Sequence, residues 1–258
     1  MSNADFVSEV RSAFLRECPD TEVFVYDSID STSSEAKRYA ALGGGDAVFI
    51  ARSQTAGRGR MGRSFLSSEG GLYLSYLFHP EIKPGDAVMM TAYAAVCLAR
   101  IIEELVPMRV GIKWVNDLMA GGKKLAGILT EGAFTEDGEK FRYAVLGIGL
   151  NVRRVDFPPE LSDIATDIES QSGRVPDISL IAARLVQKLR GFSEVSPRDY
   201  IDDYRMRSVL VGRRVRVERG DESYFATVIS IEDDASLTVL TDEGVNKKLF
   251  TGEVSIRL

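Results

Sequence analysis

The chain has 258 residues, of which 45% are hydrophobic, and a formal net charge of -6 at pH 7. This length suits one substantial core with a smaller second domain, and the acidic balance disfavours a general nucleic-acid binder, which needs a basic surface. No run approaches the roughly 18 apolar residues that cross a bilayer, and the N-terminus has early acidic residues where a signal peptide has an apolar segment, so we expect a cytoplasmic protein.

Cysteine and histidine are scarce. Cys18 and Cys97 lie far apart, with no CxxC or histidine spacing, which supports neither a zinc site nor a disulfide framework. Cys97 falls in a helical apolar pattern and is expected in the core. His79, the only histidine, is interpreted as a structural residue at a strand end, and a lone histidine argues against triad hydrolases and most metal enzymes.

The first two hundred residues alternate helical and strand patterns. Predicted helices cover residues 4–16, a segment beginning at 31–34, and residues 87–105, 178–192 and 197–207. Predicted strands cover residues 22–29, 47–52 and 71–78 and the segments GIKWVND, KKLAGILTEGAF and KFRYAVLGIGLNV. This order predicts a layered α/β (α+β) domain over residues 1–207.

From about Ser208 the pattern changes to short strand-like runs separated by Gly, Asp and Glu turns. About fifty residues of this kind predict a small SH3-like β-barrel over residues 208–258.

The segment QTAGRGRMGRSF (residues 54–65) carries three arginines, and no Asp or Glu occurs between residues 47 and 68. Its glycines form a literal GxGxxG. A dinucleotide fingerprint requires a helix directly after the glycines, whereas a strand is predicted here, and the HRD and DFG elements of a kinase are missing from the sequence. Both nucleotide-fold interpretations are therefore rejected.

Two interpretations of this loop remain. It is a solvated basic loop, or it is a flap that grips an anion. Arginine supplies planar forks for phosphate or carboxylate, and glycine lets the backbone close over a ligand. These features favour a mobile flap that becomes ordered when an anion binds.

Three further segments gather polar groups. In residues 113–131 a predicted hairpin carries Lys113, Asn116, Asp117 and Lys124 near a tight connection, a set suited to a phosphate, a metal and a polarised carbonyl. Glycines alternate in GIGLNV, which implies a closely approaching ligand or backbone. The hydroxyls of DSTSS either cap a helix or contact a polar ligand.

In this order the four segments resemble the biotin protein ligases. QTAGRGRMGRSF resembles the biotinoyl-adenylate loop of that family, KWVND its KWPND element, KKLAGILTE its lysine-bearing strand, DSTS its DSTN and GIGLN its G-x-G-x-N. The resemblance covers essentially the whole chain, including TGEVSIRL at its end. It implies a mixed-sheet catalytic domain of the class II synthetase and biotin ligase type, followed by the small SH3-like barrel.

The resemblance also implies two half-reactions in one site. Biotin and ATP, with Mg²⁺, give biotinoyl-5'-adenylate and diphosphate, and a lysine of a biotin carboxyl carrier protein then attacks to form an amide. Lys124, Arg58 and Arg60 are the implied catalytic residues. Those implied to bind biotin are Ser31, Thr32, Ser33, Gln54, Gly57, Arg58, Gly59, Arg60, Lys124, Gly127, Gly147 and Gly149. Those implied to bind the nucleotide are Arg60, Arg63, Phe65, Lys113, Asn116, Asp117 and Asn151, with Asp117 also a metal ligand.

Three positions depart from the family pattern. Val115 stands where the family usually has Pro, Ser33 where Asn is common, and Met61 at an often basic position. None of these changes removes a charged reactive group, so we expect them to affect loop stiffness and affinity rather than the reaction.

Partners follow from the same resemblance. The chain begins about twenty residues before the first predicted strand, which leaves no room for the N-terminal winged helix of repressor-type members, so no DNA partner is expected. A membrane partner is not expected either, and a sheet edge near GIGLNV makes a homodimer possible.

Three alternatives stay open. A lipoate or octanoyl transferase shares the general fold, but its RRxxGGG segment and nearby His-Asp are missing around the glycines at 43–45. A nucleic-acid-binding module would interleave aromatics with the arginines, and Phe65 stands alone. A non-catalytic biotin-binding protein would share the binding residues and would differ in forming no adenylate.

Overall fold

A computed structural model describes residues 3–219, 222–250 and 253–256. The helices are α1 (Asn3–Glu17), α2 (Thr32–Ala41), α3 (Ala87–Leu105), α4 (Pro159–Ser162), α5 (Ile168–Ser172), α6 (Ile178–Arg190) and α7 (Arg198–Met206). The strands are β1 (Glu22–Ile29), β2 (Ala47–Gln54), β3 (Gly71–Phe78), β4 (Gly111–Lys113), β5 (Asp117–Ala120), β6 (Lys123–Phe134), β7 (Phe141–Asn151), β8 (Arg214–Arg219), β9 (Glu222–Ile231), β10 (Leu237–Thr241), β11 (Asn246–Leu249) and β12 (Glu253–Ile256).

The larger sheet has seven strands in the order β1-β2-β3-β7-β6-β5-β4. Strands β1 and β2 are parallel because α2 crosses between them, and the other neighbours are antiparallel. The predicted mixed α/β architecture is therefore confirmed.

Both faces of the central strands are covered. Leu72 and Leu74 of β3 face the large core that includes α1, α3 and α6, whereas Leu77 faces a smaller cluster beneath α2. Every residue of β3 is buried for this reason. The alternation in GLYLSYLF was thus a correct sign of two faces, although neither face meets solvent.

Helix α3 passes through the core. With the turn before it, Pro84–Leu105 is long and apolar enough to cross a membrane by length and composition, contrary to the expectation from the sequence. Of its most apolar window, 72% is buried inside the protein. Cys97 on this helix is buried as predicted, and burial raises the pKa of its thiol to about 11.

The smaller sheet has five strands in the order β11-β10-β9-β8-β12. Its inward side chains, among them Val215, Val228 and Leu237, are fully or almost fully buried, which is consistent with the predicted small barrel. Of the predicted end segment TGEVSIRL, residues 251, 252, 257 and 258 lie outside the described residues. The connection after α7 still pairs with the larger sheet, since Ile112 N–H donates to Arg207 O at 2.7 Å.

Two local features differ from the sequence analysis. The short helices α4 and α5 were not predicted. The suggestion of a sheet edge near GIGLNV was wrong, because β7 lies between β3 and β6 and the edge strands of this sheet are β1 and β4.

Candidate functional site

A cavity opens where the segment after β2 folds over strands β6 and β7. Its empty volume, counted with its open mouth, is about 960 Å³. It is lined by Ser31, Thr32, Ser33, Gln54, Arg58, Gly59, Arg60, Met61, Arg63, Ser64, Phe65, Lys113, Trp114, Asn116, Asp117, Lys124, Gly127, Ile128, Leu129, Gly147, Ile148 and Gly149. The structure thus brings all four predicted segments together around one space.

The arginine segment forms a small hairpin, which we call the arginine hairpin (residues 57–65). Phe65 N–H donates to Gly57 O at 2.9 Å, and Gly59 N–H donates to Arg63 O at 2.7 Å. Met61 at its tip has a φ of 55° and is exposed. The predicted flap is therefore a hydrogen-bonded hairpin that covers one side of the cavity.

Phe65 attaches the hairpin to the sheet. Its ring lies over Gly149 of β7, where an added Cβ would stand 2.6 Å from ring atom Cε1. It also lies near Gly127 of β6, where the corresponding distance to Cε2 is 3.5 Å. The glycines of GIGLNV are close to the protein's own side chains, since a Cβ at Gly147 would stand 2.5 Å from Ser33 Oγ.

One wall of the cavity, which we call the hydroxyl wall, consists of Ser31, Thr32, Ser33 and Gln54. Ser31 is the N-cap of α2, and its side chain accepts from Ser34 N–H at 3.4 Å. Thr32 N–H donates to Gln54 Oε1 at 2.8 Å. Within DSTSS, Ser31 therefore caps the helix, and the next two residues, Thr32 and Ser33, face the cavity.

The hydroxyl wall is braced from outside the cavity. Asp30 accepts a two-pronged contact from Arg38, with Nη1 to Oδ2 at 2.9 Å and Nη2 to Oδ1 at 2.8 Å. This hydrogen bonding lowers the pKa of Asp30 to about 2. The pair holds the residue before the helix cap against the last turn of α2.

The opposite end of the cavity carries charge. Lys124 Nζ lies 2.7 Å from Asp117 Oδ1. A bulge in the pairing of β5 with β6 falls beside Lys124, and its backbone is fixed by Thr166 N–H, which donates to Lys124 O at 2.9 Å. Bulges of this kind re-aim a side chain.

The turn between β4 and β5 supports this charged end from below. The Trp114–Val115 peptide bond is cis. Trp114 Nε1–H donates to Ala235 O at 2.8 Å, and Tyr204 O–H donates to Val115 O at 2.9 Å. Complete burial raises the pKa of Tyr204 above its ordinary value, so this hydroxyl stays protonated as a donor.

The arginines of the hairpin contact acceptors of the protein. Arg60 Nη1 donates to Asn116 Oδ1 at 3.2 Å, and Arg58 Nη2 lies 3.1 Å from Glu131 Oε1. Lys37 Nζ lies 2.8 Å from the same oxygen of Glu131. An arriving anion therefore competes with these acceptors for the guanidinium groups.

Two of the proposed site residues do not line the cavity. At Gly57 a Cβ would meet Ser67 Oγ and Phe65 O, so this glycine allows the base of the hairpin to close. Asn151 is buried, and its Nδ2–H donates to Thr166 O at 3.0 Å. This hydrogen bond ties the end of β7 to the segment that fixes Lys124.

Sequence reasoning missed part of the lining. Met61, Ser64, Trp114, Ile128, Leu129 and Ile148 also face the cavity. Ile128 and Ile148 lie next to the glycines already noted, so the strand pattern offered a signal for these two residues. Glu131 and Ser75 lie behind the lining, and no feature of the neighbouring sequence marks them as part of the site.

A divalent cation has one carboxylate to meet here. Within the described part of the chain, no three His, Cys, Asp or Glu residues form a cluster that could hold a metal. Asp117 Oδ1 is buried, and its ion pair with Lys124 lacks hydrogen-bond alignment. Mg²⁺ is commonly held by one or two carboxylates together with substrate phosphates, so this site fits Mg²⁺ only when it arrives with a triphosphate.

Comparisons with known proteins point in one direction. Residues 25–151 match the Biotin/lipoate A/B protein ligase family. The bifunctional ligase/repressor BirA of Bacillus subtilis is 31% identical, over 96% of this chain and 78% of that protein. A biotin–[acetyl-CoA-carboxylase] ligase of Mycobacterium tuberculosis is 34% identical, over 80% of this chain and 79% of that protein. Among solved structures, a biotin protein ligase from Aquifex aeolicus in complex with biotin and ATP has a TM-score of 0.76 and 26% identity, over 92% of this chain and 98% of that one.

Proposed function

Because the chain belongs to the biotin/lipoate A/B protein ligase family, we propose that it is an ATP-dependent biotin protein ligase. It activates biotin as biotinoyl-5'-adenylate and transfers the biotinoyl group to a lysine of a biotin carboxyl carrier protein. One observation carries this proposal: a single cavity joins an uncharged wall of hydroxyls and an amide to a cluster of lysine and arginine.

The hydroxyl wall suits the ureido ring of biotin. Thr32, Ser33 and Gln54 offer short, neutral hydrogen-bonding groups that are fixed by α2 and β2. A neutral ring with N–H and C=O groups is recognised by such partners without the desolvation cost of a charge. The valerate chain then extends towards Lys124, beside the Phe65 ring that covers Gly149 and lies near Gly127.

The charged end suits the first half-reaction. The carboxylate oxygen of biotin attacks the α-phosphorus of ATP, and diphosphate leaves. Two anions must approach one another for this attack, so cations fixed beside them lower the barrier. Lys124 is proposed to contact the carboxylate and the α-phosphate, with Arg60 and Arg58 closing from the hairpin.

The nucleotide occupies the remaining lining in this proposal. Lys113, Asn116 and Arg63 lie on the nucleotide side, and the ring of Phe65 offers a flat apolar surface for the base. Asn151 acts through the segment that fixes Lys124. Asp117 would hold Mg²⁺ together with the phosphates, and the ion would supply further charge neutralisation.

The arginine hairpin protects the intermediate. A mixed anhydride of a carboxylic and a phosphoric acid is susceptible to water, and closing a site excludes water from such intermediates. Guanidinium forks hold phosphate in two-point contacts. The hairpin therefore retains the adenylate until an amine arrives.

In the second half-reaction, the neutral amine of the acceptor lysine attacks the acyl carbon, AMP leaves, and the amine loses a proton as the amide forms. A carrier domain of a biotin-dependent carboxylase is the proposed partner, in agreement with the acetyl-CoA-carboxylase named for the Mycobacterium tuberculosis relative. A cytoplasmic location belongs to the same proposal, because ATP and carboxylases occur together there. Homodimerisation and the lack of a DNA partner stay predictions.

A direct experiment separates this proposal from its rivals. The protein is incubated with radiolabelled biotin, ATP and Mg²⁺, with and without a biotin carboxyl carrier domain. A labelled carrier and release of one AMP per label support the ligase. Labelling by lipoate or octanoate in place of biotin supports a transferase of the same fold, and biotin binding without adenylate supports a non-catalytic binding protein.

A further inference from the structure

A buried serine lies directly behind the hydroxyl wall. Ser75, in the middle of β3, is 0% exposed and does not line the cavity. Its Oγ lies 2.8 Å from Thr32 Oγ1 and 2.9 Å from Ser33 Oγ. It pairs across the sheet with Gly147, and the missing side chain there leaves room for the three hydroxyls.

A backbone group fixes the orientation of this network at one end. Thr32 N–H is a donor, and it lies 2.8 Å from the Gln54 side chain, so the atom it meets must be the amide oxygen, Oε1. Thr32 Oγ1 lies 3.1 Å from the same oxygen. Because an amide oxygen only accepts, the hydroxyl of Thr32 must donate to it.

The number of hydroxyl protons then fixes the direction of the remaining hydrogen bonds. Thr32 has one hydroxyl proton, which Gln54 takes, so Ser75 donates to Thr32. Ser75 has spent its own proton in that bond, so Ser33 donates to Ser75. At the far end, Gln54 Nε2–H donates to Ser67 Oγ at 2.9 Å, and Ser67 donates to the backbone carbonyl of Phe65 at 2.9 Å. The hydrogen bonds run in one direction from Ser33 to the arginine hairpin.

This order determines what the wall presents to a ligand. Thr32 and Ser33 have no hydroxyl proton left for the cavity, and each retains a lone pair. We propose that Ser75 is a positioning residue that makes these two hydroxyls acceptors and thereby selects ligands that bring N–H groups to them. The inference rests on the proposed function: the ureido ring of biotin has two N–H groups, whereas the dithiolane ring of lipoate has none.

Replacing Ser75 removes the acceptor for the Ser33 proton. In Ser75→Ala that proton is free to turn into the cavity, where it opposes a ligand N–H. Loss of an oriented hydrogen bond to a buried partner corresponds to about a tenfold change in affinity. Selectivity for N–H should fall as well, because the wall no longer offers lone pairs alone.

The test compares two ligands with three variants by isothermal titration calorimetry. The ligands are biotin and a biotin methylated on one ureido nitrogen. For Ser75→Ala we expect the Kd of biotin to rise about tenfold and that of the methylated ligand by less than about threefold, so that the preference for biotin narrows. The apparent KM for ATP should stay unchanged, because the nucleotide end does not contact Ser75.

Two further variants keep the test decisive. Ser75→Cys retains a weak donor and a weak acceptor of similar size, and its Kd for biotin should lie between those of the unaltered protein and Ser75→Ala. This variant carries the test if Ser75→Ala does not fold. Thr91→Val removes another buried hydroxyl, 2.6 Å from Thr130 Oγ1 and outside the cavity lining, and should leave both Kd values unchanged.

Other results overturn the inference. An unchanged Kd for biotin, an equal rise in the Kd of both ligands, or an equal rise in the KM for ATP would assign Ser75 a purely structural role. If the unaltered protein binds no biotin, the proposed function fails together with the inference. If the unaltered protein binds biotin but the preference does not narrow, only the inference fails.

Discussion

Gly149→Ala tests whether the position of the arginine hairpin controls the reaction. In this variant the new Cβ would lie 2.6, 2.8 and 2.9 Å from three ring atoms of Phe65. Ordinary contact begins near 3.4 Å, so the ring must retreat by about 1 Å. Strand β7 is held between β3 and β6, so the surface hairpin gives way rather than the sheet.

Gly149→Ala is expected to slow the reaction more than it destabilises the fold. Displacing groups around a reacting centre by about 1 Å lowers rates by roughly 100-fold, and we expect this loss in diphosphate release with biotin and ATP. Because the hairpin can yield, the free energy of unfolding should fall by less than about 1 kcal/mol, below the 1–3 kcal/mol typical of an overpacked core. The adenylate that does form should escape faster, which rapid gel filtration of the labelled intermediate measures.

Two companion variants isolate the cause. Gly45→Ala adds a Cβ with nothing within 4 Å and should behave as the unaltered protein. In Gly149→Ala combined with Phe65→Leu, the smaller side chain relieves the contact, so the combined loss should be smaller than the product of the single losses. Full activity of Gly149→Ala, or additive losses in the double variant, would refute the link between ring position and catalysis.

Three other changes probe the cations and the brace behind them. Arg58→Ala should release the adenylate at least about tenfold faster, because a charge-assisted contact is lost, as measured by retention of labelled intermediate. Lys124→Ala should slow diphosphate release by about 100-fold or more, since one stabilising donor is removed and Asp117 is left unpaired. Asp30→Asn should lower the free energy of unfolding at neutral pH by less than about 1 kcal/mol, because the pair with Arg38 is half exposed. Since the folded pKa of Asp30 is lowered to about 2, the difference in unfolding free energy between Asp30→Asn and the unaltered protein should be complete above about pH 4 and vanish as pH falls towards 2. Urea titrations at a series of pH values measure this difference.

Matched variants serve as controls for the two cations. Arg52→Ala removes an arginine whose partners, Asp27 and Glu69, lie outside the cavity lining. Lys123→Ala removes the lysine next to Lys124, which contacts Ser162 O. Both should retain activity. If the effect of Arg58→Ala equals that of Arg52→Ala, or if Lys124→Ala reacts within twofold of the unaltered protein, the role proposed for that residue is wrong.

The sequence predicted the large elements well, for a physical reason. Glu22–Ile29, Gly71–Phe78 and Ala87–Leu105 have the bounds read from the pattern, because their apolar periods record directly which side is buried. The strand after the arginine hairpin, which excluded a dinucleotide fold, was identified in the same way.

The sequence could not predict what depends on distant partners. Ser75 looks like a polar exception in an apolar strand until α2 brings two hydroxyls to it. Asn151 matches a ligand-binding motif, yet its amide is occupied by Thr166. Strand β7 was taken for a region near an edge because strand order is set by long-range pairing that a local pattern does not encode. The short helices α4 and α5 have too few residues for a period to show.

The central claim is that one cavity forms the adenylate of biotin and delivers it to a lysine. Its most direct measurement is the intact mass of a biotin carboxyl carrier domain after incubation with this protein, biotin, ATP and Mg²⁺. We predict that the carrier gains one biotinoyl group, that the gain requires ATP, and that it disappears when the acceptor lysine is replaced by arginine. An unmodified carrier, in a reaction where the protein binds biotin yet yields neither adenylate nor diphosphate, would contradict the account.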